Sequence, residues 1–309
     1  MLWALTAYFN PLGYKSRLEN YLIFRTHLKA PMVAVELSFT EDFALRPGDA
    51  EVLVQLTGGD VLWQKERLLN VALRHLPHEC DAVAWLDCDL VFGDDSWAER
   101  ARAALEEFSL VQVFSQHYDL APGAGSDLSG WSTLNSARFG TGYEIVDWRA
   151  SAGDPGARDP LPNHNGKPGV AWAARRALIE KHGFYDTCIV GGGDWALVCA
   201  AMGKFDYATD IMMMNERQLE HYRSWGDGFS AETRANVGCI EGSVFHLWHG
   251  ERKDRKYRER HRGLHRFGFD PFVDIAIHPD GCWRWNTNKP ELHEYVRDYF
   301  YSRNEDQGL

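Results

Sequence analysis

Apolar and amphipathic stretches alternate through residues 1–116, and that alternation leaves few folds open. Apolar runs at 2–9 (LWALTAYF), 32–39 (MVAVELSF), 51–58 (EVLVQLTG), 81–87 (DAVAWLD) and 110–116 (LVQVFSQ) read as strands. Between them, 15–28, 62–76 and 96–108 repeat apolar residues at helical spacing. Strands alternating with helices build a mostly parallel sheet covered on both faces. The expected class is therefore α/β, with a central, mostly parallel sheet flanked by helices. A chain of 309 residues can hold this as a single large domain.

Beyond residue 116 the pattern changes. Residues 117–170 are rich in Gly, Pro, Ser and Asp and read as a long functional loop. AWAARRALIEKHG (171–183) reads as a helix, and GGGDWALVCAAMG (191–203) as a glycine turn opening another. VFHLWH (244–249) is strand-like, 252–266 reads as a basic helix, and 291–303 as a last helix. No internal repeat and no clean linker divides the chain. Its expected parts are 1–116, 117–250 and an extension at 251–309.

The formal charge of −11 argues against a protein that grips duplex nucleic acid through its phosphates. The basic stretch DRKYRERHRGLHR at 254–266 keeps modified nucleic acid open as an acceptor. No run approaches the length of a membrane span. The opening MLWALTAYFNPLGYKSR lacks a basic leading region and breaks at Asn10-Pro11. Six cysteines without C-x-x-C spacing read as reduced thiols. A cytoplasmic location is expected.

The strand at 81–87 ends in D-C-D, placing Asp87 and Asp89 where ligands bind in an open parallel sheet. In an extended segment both carboxylates face the same way. They repel unless a cation lies between them. Hard oxygen ligands suit Mn²⁺ or Mg²⁺, and such an ion also holds a diphosphate. His246 and His249 form H-x-x-H at the end of an apolar strand and supply an imidazole ligand. Asp194 follows three glycines at the start of a helix. It is either an N-cap or a carboxylate held beside substrate to take a proton. Trp131, His164 and Trp172 are candidates for stacking on or contacting an acceptor.

These pieces, in this order, resemble glycosyltransferases of the GT-A, Rossmann-like fold, near the family 2 and family 7 types. TAYFNP resembles the first strand and turn where the nucleotide base lodges, which implicates Asn10. Glu36 in VAVEL matches the acidic position that meets the base or ribose. D-C-D matches the metal-binding D-x-D. GVAWAARRALIEKHGFYDTCIVGGGDWAL resembles the acceptor-side segment, in which a Gly-Gly-Glu-Asp turn supplies the base. Here Gly193 stands where that turn has Glu, so Gly192 and Gly193 would line the acceptor. VFHLWHGERKD resembles the C-terminal metal-histidine segment. Aligning HGERKD favours His249, and aligning V-x-H favours His246. Residues on the helix before the D-x-D strand, Lys65, Arg67 and Asn70, are expected near the nucleotide.

The resemblance implies a metal-dependent, inverting transfer from a nucleotide-sugar, expected to be a UDP-sugar, to a hydroxyl acceptor such as a carbohydrate. The metal would be Mn²⁺ or Mg²⁺, and Asp194 the base. Two other classes fit parts of the pattern. A nucleotidyltransferase also uses an α/β sheet and an Asp pair, but FNPLGYKSR is a poor phosphate loop. A sugar-nucleotide-binding module without catalysis would account for Gly193.

Overall fold

The structure, a computed structural model, describes residues 1–40, 42–123, 131–151, 154, 159–161 and 166–306. Its strands in chain order are β1 Leu2–Phe9, β2 Met32–Leu37, β3 Val52–Leu56, β4 Ala82–Leu86, β5 Leu90–Phe92, β6 Leu110–Gln112 and β7 Gln116–Asp119. They continue with β8 Arg138–Phe139, β9 Ala171–Arg175, β10 Val237–Cys239, β11 Ser243–His246, β12 Ile275–Ile277 and β13 Trp283–Trp285. The helices are α1 Lys15–His27, α2 Lys65–Ala72, α3 Trp97–Ala104, α4 Thr141–Ala150, α5 Arg176–His182, α6 Gly193–Ala201, α7 Phe205–Met212, α8 Glu216–Thr233, α9 Glu259–His265 and α10 Pro290–Tyr301.

A seven-stranded sheet runs β10-β6-β9-β4-β1-β2-β3. Its strands pair in parallel except β9, which is antiparallel to both β4 and β6. The expected α/β class holds. β1 shows why its residues are almost uniformly apolar. Trp3, Leu5 and Phe9 enter the apolar cluster on one face, and Leu2, Ala4 and Tyr8 the cluster on the other. A strand buried on both faces needs no polar alternation.

A four-stranded sheet, β5-β11-β7-β8, stands beside the first. In it β11 pairs antiparallel with β5 and parallel with β7, setting His246 opposite both Leu90 and Asp119. The register therefore brings the residues following β4 to the H-x-x-H segment.

Three sequence expectations change. Residues 171–175 are strand, not helix, and only Arg176–His182 is helical. Ala171 to Ala174 are buried in the middle of the sheet, where an alanine-rich run shows neither period clearly. The 117–170 stretch carries β7, β8 and α4. The basic helix at 252–266 is a short 3₁₀ turn, Arg252–Arg255, followed by α9, with a break at Lys256 in a left-handed conformation (φ 46°). Helix α8 is announced by a capping box that the sequence reading passed over. Asn215 accepts from the Gln218 amide at 2.9 Å, and Gln218 accepts from the Asn215 amide at 3.2 Å. Among the described residues, no helix is long and apolar enough to cross a membrane.

Candidate active site

A cavity of about 540 Å³ opens beyond the carboxyl ends of β1 and β4. Ala7 and Phe9 line it from the first strand, and Leu86, Asp87, Cys88 and Asp89 from the second. This is where an open α/β sheet binds ligands.

Asp89, His246 and His249 converge on one wall. The Asp89 Oδ1 lies 3.4 Å from His246 Nε2, and its Oδ2 lies 3.1 Å from His249 Nε2. The two Nε2 atoms are 3.0 Å apart. Each imidazole turns its other nitrogen to a carboxylate: His246 Nδ1 lies 3.2 Å from Asp119, and His249 Nδ1 lies 3.9 Å from Glu305. A carboxylate on Nδ1 places the proton there and leaves the Nε2 lone pair facing outward. Asp89 Oδ1 is buried without a well-formed hydrogen bond. Three lone-pair atoms turned on one another, one of them orphaned, fit a divalent cation. The N₂O donor set suits Mn²⁺ and its neighbours.

Charge around the trio follows the same geometry. Burial and the adjacent Arg255 guanidinium push the His249 imidazolium down to about 3. His249 is therefore neutral, and its Nε2 accepts from Arg255 Nη2 at 2.7 Å, a hydrogen bond that a cation on this atom would replace. Burial works against His246 as well, but Asp89 and Asp119 outweigh it and move its imidazole up.

Asp87 takes a different neighbour. Its backbone amide donates to Val170 at 2.8 Å, and its carboxylate meets Lys65 Nζ at 2.5 Å. The same ammonium reaches Asp194 Oδ1 and Oδ2 at 3.1 and 3.0 Å. Lys65 is thus a buried cation shared between the end of β4 and the first turn of α6. Two groups among the described residues could hold a metal, Asp89 with His246 and His249, and His117 with Asp119 and His246. Of these, the first has all its members on the cavity wall, and Asp87 is held by Lys65 instead.

The glycines around Asp194 have steric reasons. Gly192 caps α6 at φ 110°, a conformation open to glycine. A Cβ on Gly193 would collide with the Glu66 carboxyl, so α2 fills the space that a larger residue there would need. A Cβ on Gly169 would come within 2.8 Å of Asp194 Oδ2, so the 166–170 backbone lies directly against that carboxylate.

The remaining expected residues are placed as follows. Asn10 closes a local turn, accepting from the Tyr14 amide at 3.0 Å and donating to its carbonyl at 2.8 Å. Glu36 is buried and accepts from the Ala44 amide at 2.6 Å and Gln55 Nε2 at 2.9 Å. Arg67 and Asn70 bind Asp186 at 3.0 and 2.8 Å, fastening α2 to the loop before the glycine turn. Trp172 is fully buried opposite Trp85, its indole donating to the Pro168 carbonyl at 2.7 Å. Trp131 packs edge-on to Phe245. None of these six lines the cavity, whereas Lys65, Asp194 and Gly192 do. His164 lies outside the described residues. Sequence reasoning passed over Asp119 and Glu305, which orient the histidines, and the basic residues of 252–260 as cavity wall.

No family model matches the chain, and no curated protein matches it. Among solved structures, the chain is similar to the catalytic domain of Drosophila beta1,4-galactosyltransferase 7 in complex with xylobiose. Identity is 12%, over 94% of this chain and 98% of that one, with a TM-score of 0.40. It is similar to S. aureus TarS at 12% identity, covering 88% of this chain but only 44% of that one, with a TM-score of 0.39. It is also similar to 4-diphosphocytidyl-2C-methyl-D-erythritol synthase from Anaerococcus prevotii. Identity there is 11%, over 78% and 87% of the two chains, with a TM-score of 0.36. Superpositions this loose leave the chemistry to be read from the side chains.

Proposed function

We propose that the protein is a metal-dependent glycosyltransferase that moves a sugar from a nucleotide-sugar, a UDP-sugar by expectation, to a hydroxyl acceptor with inversion. The observation that carries this reading is the pairing of two features in one cavity. A trio fit for a divalent cation, Asp89, His246 and His249, shares the cavity with a carboxylate, Asp194, held on another element. The order of the D-x-D, G-G-x-D and H-x-x-H motifs along the chain supports it.

Asp89, His246 and His249 would hold a divalent ion, which would supply positive charge against a departing diphosphate. The residues of the chain do the rest. Lys65 is kept charged despite its burial, first by Asp194 and then by Asp87, and fixes both carboxylates. Asp194 takes the proton of the acceptor hydroxyl as its oxygen bonds to the anomeric carbon. The anomeric bond to phosphate breaks, and its electron pair leaves with the diphosphate. A single displacement from the opposite face inverts the anomeric centre. Phe9 and Trp63 form an apolar wall at the cavity, with their rings edge-on at 5.5 Å.

Calorimetry of UDP in Mn²⁺ and in EDTA tests the proposal. Binding is expected in Mn²⁺, with at least tenfold loss in EDTA and in Asp89→Ala. Equal affinity in both buffers would sink it.

A further inference from the structure

The cavity has two ends of different character. At one end, Lys167, Arg252 and Arg255 stand with His246 and His249 of the metal-fit trio, and all five also line a smaller adjoining cavity of about 60 Å³ that reaches Asp119. Trp63, Asp194, Trp195, Ile211, Met212 and His261 line the larger cavity and not the smaller one. A diphosphate belongs at the first end, where a divalent ion and these cations would meet its charge. The second end faces whatever Asp194 deprotonates.

Packing ties this second end to the turn that carries Asp194. The Trp63 amide donates to the Ile189 carbonyl at 2.9 Å, and a Cβ on Gly191 would meet the Trp63 ring at 3.4 Å. A Cβ on Gly192 would come within 2.8 Å of Met212 Sδ and 3.3 Å of His261. Ile211 precedes Met212 at the end of α7, and Trp195 follows Asp194 in α6. Trp63, Trp195, Ile211 and Met212 all belong to, or pack on, the larger apolar cluster. This end of the cavity is therefore an open margin of the core.

Its charges balance and its polar groups are largely committed. Lys65 pairs with Asp87 and Asp194. Arg260, also beside Gly191, donates to the Tyr299 hydroxyl at 2.6 Å and lies over the Tyr257 and Tyr299 rings at 5.1 and 5.5 Å. These two cations stand with two carboxylates. Burial, and then Arg260, push the His261 imidazolium down to about 3, so His261 is neutral. Its Nε2 accepts from Arg260 Nε at 3.5 Å, which leaves the proton on Nδ1. A sugar ring brings several hydroxyls, each of which loses water here and needs a new partner. A phenol brings one hydroxyl on a flat apolar body, and indole and thioether groups favour contact with aromatic rings.

We propose that the acceptor is a phenol, its hydroxyl at Asp194 and its ring against Trp63, Trp195, Ile211 and Met212. The proposal rests on the glycosyl-transfer reading and names the acceptor class for it. The phenol proton passes to Asp194 as the phenol oxygen bonds to the anomeric carbon. The bond from that carbon to the phosphate oxygen breaks, its electron pair leaves on the diphosphate, and the product is an aryl glycoside. A phenol, with an ordinary pKa of about 10, gives up its proton more readily than a sugar hydroxyl does, which eases the transfer to a carboxylate.

The test is calorimetry on the full chain saturated with UDP and Mn²⁺. Naphthol, decahydronaphthol and methyl glucoside serve as probes for an aromatic, an aliphatic and a sugar hydroxyl. Naphthol is expected to bind at a single site, decahydronaphthol about threefold more weakly, and methyl glucoside at least about tenfold more weakly. Ile211→Asn and the milder Ile211→Ala should weaken naphthol about tenfold and about threefold and leave UDP affinity within twofold. Unchanged UDP affinity also reports that the variants fold. Four results would overturn the proposal: no naphthol binding, either other probe binding equally well, folded variants without effect, or naphthol binding that UDP abolishes, which would put the ring in the donor's place. Failure of UDP to bind with Mn²⁺ would remove the transfer reading instead. Naphthol titrated onto the protein alone, in wild type and in Ile211→Asn, would then still read the apolar end.

Discussion

Lys65 sits among three carboxyl groups, and their different surroundings give them different work. Asp194, gripped through both oxygens, is the proposed base. Asp194→Asn keeps the shape and a hydrogen bond but accepts no proton, so turnover should fall about 10²–10⁴-fold while UDP affinity in Mn²⁺ stays within twofold. NMR of the wild-type product should show the inverted anomer. Near-normal turnover in the variant, or a retained anomer, would leave Asp194 only as the ion-pair partner of Lys65 in the first turn of α6, where Gly192 and not Asp194 is the cap. Glu66 lies deeper, against Gly193. Burial pushes its carboxyl up from 4.5 to about 8, with Asp194 and Asp87 adding to the effect and Lys65 opposing it. Between those values the folded state binds a proton that the unfolded state has released, so stability falls as pH rises through this window. Glu66→Gln carries a permanently neutral amide of the same size. Its melting temperature should therefore decline less than that of the wild type between pH 6 and 9, and parallel declines would show that Glu66 does not set the slope.

Among the elements, β11 and the segment after α10 share the task of aiming the histidines. β11 sets His246 beside Asp119 by register, whereas His249 depends on Glu305, clamped between Arg17 and Arg303. Those two guanidiniums overcome burial and hold the Glu305 carboxyl well below the usual range. Removing the charge leaves two buried cations without their partner, at a cost of about 3–5 kcal/mol. Glu305→Gln should lower the urea midpoint accordingly and weaken Mn²⁺ binding about 10–100-fold. A variant that unfolds more easily yet binds Mn²⁺ normally would show that Glu305 supports the fold and not the histidine. Neither Glu305 nor Asp119 was legible in the sequence, because each is a single carboxylate whose partner comes from a distant segment. Asp89, His246 and His249 were legible because short spacings, D-x-D and H-x-x-H, carry them. The sequence pattern alone could not separate Asp87 from Asp89. That difference comes from Lys65, on another element.

For the molecule as a whole, the strands whose spans read most closely are those whose apolar runs sit between clear turn residues, β1, β2, β3 and β4, while β6 and β11 are shorter than the runs 110–116 and 244–249 that marked them. Glu36 and Trp172 show the limit of such reading. Both types occur in binding sites, and here tertiary packing commits one to backbone amides and the other to the core. Of the strands missed, β9 has the largest consequence. It lies between β4 and β6 and is antiparallel to both, so two strands made early have no partner for each other until residues 171–175 exist. On a ribosome adding residues at about 5–20 per second, that wait is roughly 3–12 s. Throughout it the growing chain shows two open strand edges, the kind of template that invites pairing with another chain. A fragment of residues 1–116 holds that stage permanently. It should aggregate or unfold without a cooperative transition, where the full chain melts sharply. A soluble, cooperatively melting fragment would mean that the first four strands close their own sheet and that β9 is a late addition to a finished structure.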